Sequence, residues 1–280
     1  MDFDADAYLS TVGQSNDSDI NLFKASIALA AVDHDGVSLD KYFNHLNKLC
    51  KAVKARHENL LKEGANDDAG TQLAALKHII ADQEGYTGDV ETYDDLQNAD
   101  LIRVIDRRRG MPIALSVLYI QVGRELGWEL DGLNMPGHFV CRVEKDGERL
   151  IFDPFDCAKT LNAADLRALL KKTQGDFAEL SAKYYEAAPN RDILIRLQNN
   201  IKLRLIENEE YEKAAMVVEA MRKIDPDEFR LLLDAGVLYA RVGQHMAAAR
   251  CLEGYIDKAP NPRDRQEAAI LLQQLRDILQ

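Results

Sequence analysis

From residue 21 to about residue 81, apolar side chains recur every three or four positions: Leu22, Ile27, Leu29 and Ala30, then Tyr42, Leu46, Leu49 and Val53, then Leu73, Leu76, Ile79 and Ile80. That spacing gathers each set on one helical face and predicts three amphipathic helices. They break at Asp33-His-Asp-Gly36 and at 63–68, both of turn composition. A calcium loop at the first break would need Ala31 and Tyr42 as ligands, so it reads as a solvated turn. The polar stretch 85–98 is expected to be a loop. After Pro112 the pattern changes: Ile113, Leu115, Val117, Leu118, Ile120, Val122 and Leu126 cover most of a helix's circumference, which predicts a buried helix. Strand-like pieces follow at 128–133, 137–144 and 149–155. Lys145-Asp-Gly-Glu148 joins the last two with the Asp-Gly signal of a hairpin, drawn as a four-residue loop.

Composition narrows the function classes. A chain of 280 residues with 46% hydrophobic residues can build a real core and has room for more than one domain. Its 35 basic and 47 acidic residues give a formal charge of -12, which repels phosphate backbones and anionic membrane surfaces. Nucleic acid and membrane are therefore not expected partners. No stretch has the apolar length to cross a bilayer, and the acidic Met1-Asp-Phe-Asp-Ala-Asp start does not read as a signal peptide, so a cytoplasmic location is expected. Cys50, Cys141, Cys157 and Cys251 form no C-x-x-C pair and are expected as free thiols. His34, His45, His57, His78 and His245 have no ligand-type spacing, so neither a metal nor a cofactor is expected.

The last third is helical and repeats itself. Pro226 and Pro260 stand 34 residues apart, and the same shift pairs Ala214 with Ala248, Ala215 with Ala249, Glu219 with Glu253 and Leu203 with Val237. The copy at 229–260, with Ala235, Gly236, Tyr239, Ala248 and Pro260, resembles the tetratricopeptide repeat, and 195–226 resembles it more loosely. Residues 263–280 then read as the capping helix such an array needs.

The centre carries the candidate chemistry: Arg108-Arg-Gly110-Met-Pro112, Arg124-Glu-Leu-Gly127, Pro136-Gly-His138-Phe and Phe152-Asp153-Pro-Phe155. These motifs resemble the transglutaminase-like superfamily, and more narrowly the bacterial SirB-type proteins, in which such a core precedes tetratricopeptide repeats. The resemblance runs from residue 22 to residue 260. In the wider superfamily a Gly-x-Cys opens the buried helix, an Arg-x-x-Gly ends it, a histidine begins the next strand and an Asp-Pro follows the hairpin. Counting the family's fifteen residues back from Gly127 lands on Pro112 where the cysteine belongs.

The arrangement has a physical logic of its own. A thiol at a helix N-terminus is acidified by the dipole, a histidine takes its proton and a carboxylate orients the ring. In the hairpin, His138 lies opposite Phe155 and Asp153 opposite Val140, so the two are diagonal neighbours on one face, about 7 to 8 Å apart at the backbone. A His-Asp dyad follows. Proline at 112 suits a first helical turn and is inert as a nucleophile. Cys141 falls on the face opposite His138 and reads as a small core residue. Cys157 is the substitute nucleophile that remains, and Ser116 is expected to bond the carbonyl four residues back. Arg107, Arg108 and Arg109 are read either as partners of Asp94, Asp95 or Asp100 or as an anion contact at the edge of the cleft.

The expected architecture is α+β: N-terminal helices (1–98), a transglutaminase-like, papain-like core with a small antiparallel sheet (99–190), and tetratricopeptide-like hairpins with a cap (191–280). The expected function is non-catalytic binding of a protein or peptide through the repeats, with Arg107, Arg108, Arg109 and Tyr239 as contact residues and a regulatory role implied by the resemblance. Two alternatives stand beside it. One is an amide hydrolase or acyl transferase that uses His138 and Asp153 with an unconventional nucleophile. In the other the dyad only fixes the hairpin.

Overall fold

Short polar side chains mark where most of the early helices begin. Asp4 caps α1 (Ala5–Gln14), Asn21 caps α2 (Leu22–Ala31), Asp68 caps the helix at Ala69–Leu76 and Asp100 the one at Leu101–Arg107, each accepting a backbone N–H three residues on. The structure, a computed structural model, describes residues 3–34 and 36–279. Asp35 in the turn after α2, Met1 and Asp2 of the acidic start and Gln280 of the capping helix lie outside the described residues.

These residues form two compact units, one made of Phe3 and Asp17–Leu197, the other of Asp4–Asn16 and 198–279. In the first unit α2 is followed by α3 (Asp40–Lys62), which buries Tyr42, Leu46, Leu49 and Val53 as the periodicity predicts. α4 (Ala69–Leu76) runs on into a π-helical turn, Lys77–Gln83. The stretch expected as plain loop holds more order than that. Its β1 (Thr87–Gly88) pairs in parallel with β2 (Arg109–Gly110), and Leu96–Asn98 forms a 3-10 turn. Two-residue ladders leave no periodicity to read. α5 (Leu101–Arg107) was equally invisible, being only two turns long, and Arg108 closes it in the left-handed region at φ 60°.

α6 (Pro112–Glu125) is the centre of this unit. Every residue from Pro112 through Gly123 is buried, as an all-round apolar helix must be. It packs on an antiparallel sheet of order β3-β4-β5-β6: β3 (Glu129–Met135), β4 (His138–Lys145), β5 (Glu148–Asp153) and β6 (Lys159–Leu161). The β4–β5 loop is two residues rather than four. Lys145 pairs with Glu148, and Asp146 and Gly147 take φ 51° and 83°, the double positive φ that an Asp-Gly turn supplies. Because the register is unchanged, the faces stay as predicted. α7 (Ala163–Gln174) starts with a capping box of Asn162 and Asp165 and covers Leu133, Met135 and Val140 with Leu166 and Leu170. A 3-10 turn, Ala182–Tyr185, precedes α8 (Asn190–Glu207), whose first two backbone N–H groups donate to Asp17.

In the second unit the repeat is literal. α9 (Tyr211–Ile224) and α11 (His245–Lys258) are offset by 34 residues at both ends, with α10 (Arg230–Arg241) between them and α12 (Pro262–Leu279) as the cap. Gly236 lets α11 approach, since a Cβ there would sit 2.9 Å from Leu252. The turn before α11 uses Gly243 at φ 76°, whereas its counterpart in the first copy, Glu209, holds φ 60° without a glycine. α1 belongs to this unit. It packs on α9 so closely that a Cβ on Gly13 would lie 2.1 Å from the Lys223 carbonyl oxygen, and Asp6 pairs with Lys223.

Candidate functional site

His138 opens β4 and Asp153 closes β5. The ladder pairs Cys141 with Phe152, so one further step sets Asp153 opposite Val140 and diagonal to His138. Nε2 of His138 lies 2.8 Å from Oδ2 of Asp153, and the two side chains are 14% and 6% exposed. The Asp-Pro pair explains how the carboxylate is held. Its Oδ1 accepts the Phe155 N–H at 2.9 Å, an Asx turn whose middle residue, Pro154, has its φ fixed. The Phe155 ring meets His138 edge-on at 6.2 Å and Tyr93 at 5.8 Å, and a Cβ on Gly88 would strike it at 2.5 Å. Glycine in β1 is therefore what lets the ring lie over the backbone.

The head of α6 explains the other motifs. Gly110 has Val104 within 2.8 Å of where its Cβ would be, and the Met111 N–H donates to Asn98 O at 2.9 Å, which leads the chain tightly into the helix. Pro112 takes the first helical position. At the far end Arg124 donates to Leu130 O at 3.0 Å and to Asn190 Oδ1 at 2.7 Å, clamping the helix to β3 and α8, while Gly127 at φ 76° turns the chain out.

Ser116, Cys141 and Cys157 are the groups that would have to replace a cysteine. Ser116 Oγ donates to the Pro112 carbonyl at 2.8 Å, the helical back-bond its position predicts. Cys141 is fully buried on the face away from His138, and burial pushes its thiol up to about 12, so it stays protonated at neutral pH. Cys157 is half-buried at φ 48°, followed by Ala158 at φ 55°, and its thiol donates to Thr87 Oγ1 at 3.6 Å. Two consecutive non-glycine residues in the left-handed region are strained by about 1 to 2 kcal/mol each. Among the described residues, the hydrogen bond of the His138 ring is the one to Asp153. Tyr119, which no motif marks, is fully buried on α6 with its hydroxyl unpartnered among the described residues and its phenol pushed up by burial.

Each arginine of the basic run meets a carboxylate, though not Asp94, Asp95 or Asp100. Arg107 pairs with buried Asp89 at 2.8 Å, Arg108 with Glu84 at 3.2 Å while stacking over Tyr86, and Arg109 with Glu91 at 3.5 Å. Backbone and side-chain hydrogen bonds from Thr92, together with Arg107, hold the Asp89 carboxyl down at about 2. Asp100 instead caps α5 and lies 2.6 Å from His34. His34 is thus buried and paired, and His45 meets the Tyr86 hydroxyl at 2.8 Å. In the second unit the Tyr239 hydroxyl donates to Glu219 at 2.9 Å; burial and that carboxylate push it up to about 12.

Against known proteins, a family model described as transglutaminase-like superfamily matches residues 40–199, more than half of the chain. The chain belongs to the transglutaminase-like superfamily. A tetratricopeptide-repeat model matches residues 201–276 of this transglutaminase-like chain. It is similar to a UPF0162 protein of Xylella fastidiosa, 32% identical over 193 residues, which is 68% of this chain and 69% of the relative. It is also similar to Protein SirB1 of Salmonella typhimurium, 25% identical over 219 residues, covering 78% and 79% of the two chains. F-box only protein 21 of Mus musculus is 27% identical over 224 residues, 73% of this chain and 35% of that protein. No solved structure matches. The transglutaminase-like chain is thus SirB-type, a core followed by tetratricopeptide repeats, and no described helix is long and apolar enough to cross a membrane.

Proposed function

We propose that this transglutaminase-like chain is a non-catalytic scaffold of the cytoplasm that binds a protein or peptide partner, a pseudoenzyme in which the dyad survives without a nucleophile. One observation carries the reading: Pro112, which has no nucleophilic atom, occupies the first position of α6, where the superfamily's cysteine would use the helix dipole. The neighbouring hydroxyl and thiols are engaged or protonated, Ser116 on its own helix, Cys157 on Thr87 and Cys141 in the core.

Tetratricopeptide repeats are the partner-binding element in this reading, with Tyr239 as a contact residue and a regulatory role following from the partner. Of the arginine run, Arg109 is the contact residue of choice, because its side chain is half exposed while Arg107 is held by a buried carboxylate. The test is to treat the full chain with a thiol-reactive amide-mimic probe. The expected result is slow labelling of every cysteine, unchanged by His138→Ala. Fast, His138-dependent labelling of Cys157 would overturn the proposal in favour of an amide hydrolase or acyl transferase.

A further inference from the structure

On a chain of net charge -12, the long helix α3 has the opposite sign. It carries six basic residues against two acidic ones. Tyr42, Leu46, Leu49 and Val53 face the core, which turns Lys48, Lys51, Lys54 and Lys62 to the other side, where all four are exposed. The row runs about 21 Å along the helix axis. Among the described residues none of the four makes an ion pair or a hydrogen bond. By contrast, Lys41 of the same helix pairs with Asp106, and Arg107 to Arg109 are each matched by an acid. Between Lys48 and Lys62 the helix has one acid, Glu58, which stands four residues from both Lys54 and Lys62, so the row keeps a positive excess.

A cavity of about 370 Å³ opens beside this row, lined by Lys51 and Lys54 of α3 and by Leu126 and Trp128 where the chain leaves α6. Trp128, the chain's one tryptophan, is half-buried, and the His57 ring meets it edge-on at 4.9 Å. Glu58 and Glu125 also line the cavity, and Glu125 already accepts from Gln121 at 2.9 Å and from Asn21 at 3.4 Å. We infer that the outer face of α3 and the Trp128 cavity together bind an acidic segment of a partner protein, with an aromatic side chain of that segment in the cavity. Trp128 and Leu126 give such an anchor an apolar wall, and the lysines lie where the flanking carboxylates would run. A single oxyanion gains little from exposed ammonium groups, so the row is used in full only by a chain that carries several carboxylates. A long polyanion such as nucleic acid would meet the field of the acidic body. A short segment stays beside the lysines, because salt screens charges over about 8 Å. The surface lies in the first unit and not in the repeats, so it stands or falls apart from the roles proposed for the repeats and for Pro112.

Titration of the full chain with a short peptide of glutamates around one phenylalanine tests the inference, read by the fluorescence of Trp128. A saturable change in emission is expected, with Kd below about 1 mM. Lys51→Ala/Lys54→Ala, which alters exposed side chains alone, should weaken binding about fivefold or more, while Lys171→Ala/Lys172→Ala on α7 leaves it unchanged. Alanine in place of the peptide's phenylalanine should weaken it about tenfold or more. No saturable change, binding that Lys51→Ala/Lys54→Ala leaves untouched, or equal binding of the alanine peptide overturns the inference. Tighter binding of a short oligothymidylate than of the peptide also overturns it and makes the surface a nucleic-acid site.

Discussion

His138 and Asp153 meet across the β4–β5 hairpin with 2.8 Å between Nε2 and Oδ2, while the other oxygen of Asp153 takes the Phe155 N–H at 2.9 Å. The carboxylate is thus tied both to the ring and to the backbone that follows it. Removing it should leave two donors unsatisfied in a largely buried place. Asp153→Ala is expected to cost about 3 kcal/mol of stability and His138→Ala about 1 to 2 kcal/mol. Urea unfolding of the two variants checks the order, and equal costs would mean that the Asx turn contributes nothing.

Asp89 gives the expected acid response. Its folded pKa is held at about 2, below its ordinary value, by Thr92 and Arg107. A depressed carboxylate contributes stability that is complete above its unfolded pKa and is lost as pH falls toward the folded one. Stability should therefore decline between about pH 5 and pH 2. Arg107→Ala should be destabilised by about 2 kcal/mol at pH 7, because it strips a buried carboxylate of its cation, and should show a shallower acid decline. Thermal unfolding across that range reads both effects.

The first repeat carries a correctable strain. Glu209 sits at φ 60° in the place where the second repeat has Gly243 at φ 76°. Glu209→Gly should raise stability by about 0.5 to 1 kcal/mol, since glycine adopts this region without a Cβ penalty. Gly243→Glu should lower it by a similar amount. A denaturation midpoint that moves the other way for Glu209→Gly would show that its side chain contributes more than the strain removes.

Gly13 is a packing glycine. The atom its Cβ would meet at 2.1 Å is a backbone oxygen, which cannot swing aside as a side chain does. Gly13→Ala, although better for helix propensity by about 1 kcal/mol, should loosen α1 from α9 and speed amide exchange in α1. Unchanged exchange would contradict the observed approach.

Much of this fold was legible because its signals are long or chemically specific. The three-turn periodicities of α2 to α4, the apolar circumference of α6, the Asp-Gly turn and the 34-residue shift each constrain many positions at once. The register of the hairpin followed from the Asp-Gly turn, and with it the shared face of His138 and Asp153. The β1–β2 ladder and α5 escaped because they are short and are fixed by tertiary contacts, Gly88 beneath Phe155 and Asn98 beneath Met111. The membership of α1 in the second unit rests on its packing against α9, with Gly13 at the Lys223 carbonyl and Asp6 paired with Lys223, contacts that pattern alone does not mark. The acids facing Arg107 to Arg109 were misjudged for the same reason: Asp89 and Glu91 reach them through the β1–β2 pairing, not through nearness in sequence.

We propose that Pro112 stands where the superfamily's nucleophile would work with the His138–Asp153 dyad. Pro112→Cys tests it most directly, through the rate at which the new thiol is alkylated by iodoacetamide at pH 7, with folding verified. Alkylation at least about tenfold faster than that of an ordinary thiol is expected, because the helix N-terminus and His138 would lower the thiol's pKa, with the gain lost in Pro112→Cys/His138→Ala. An ordinary rate, the same with or without His138, would contradict it.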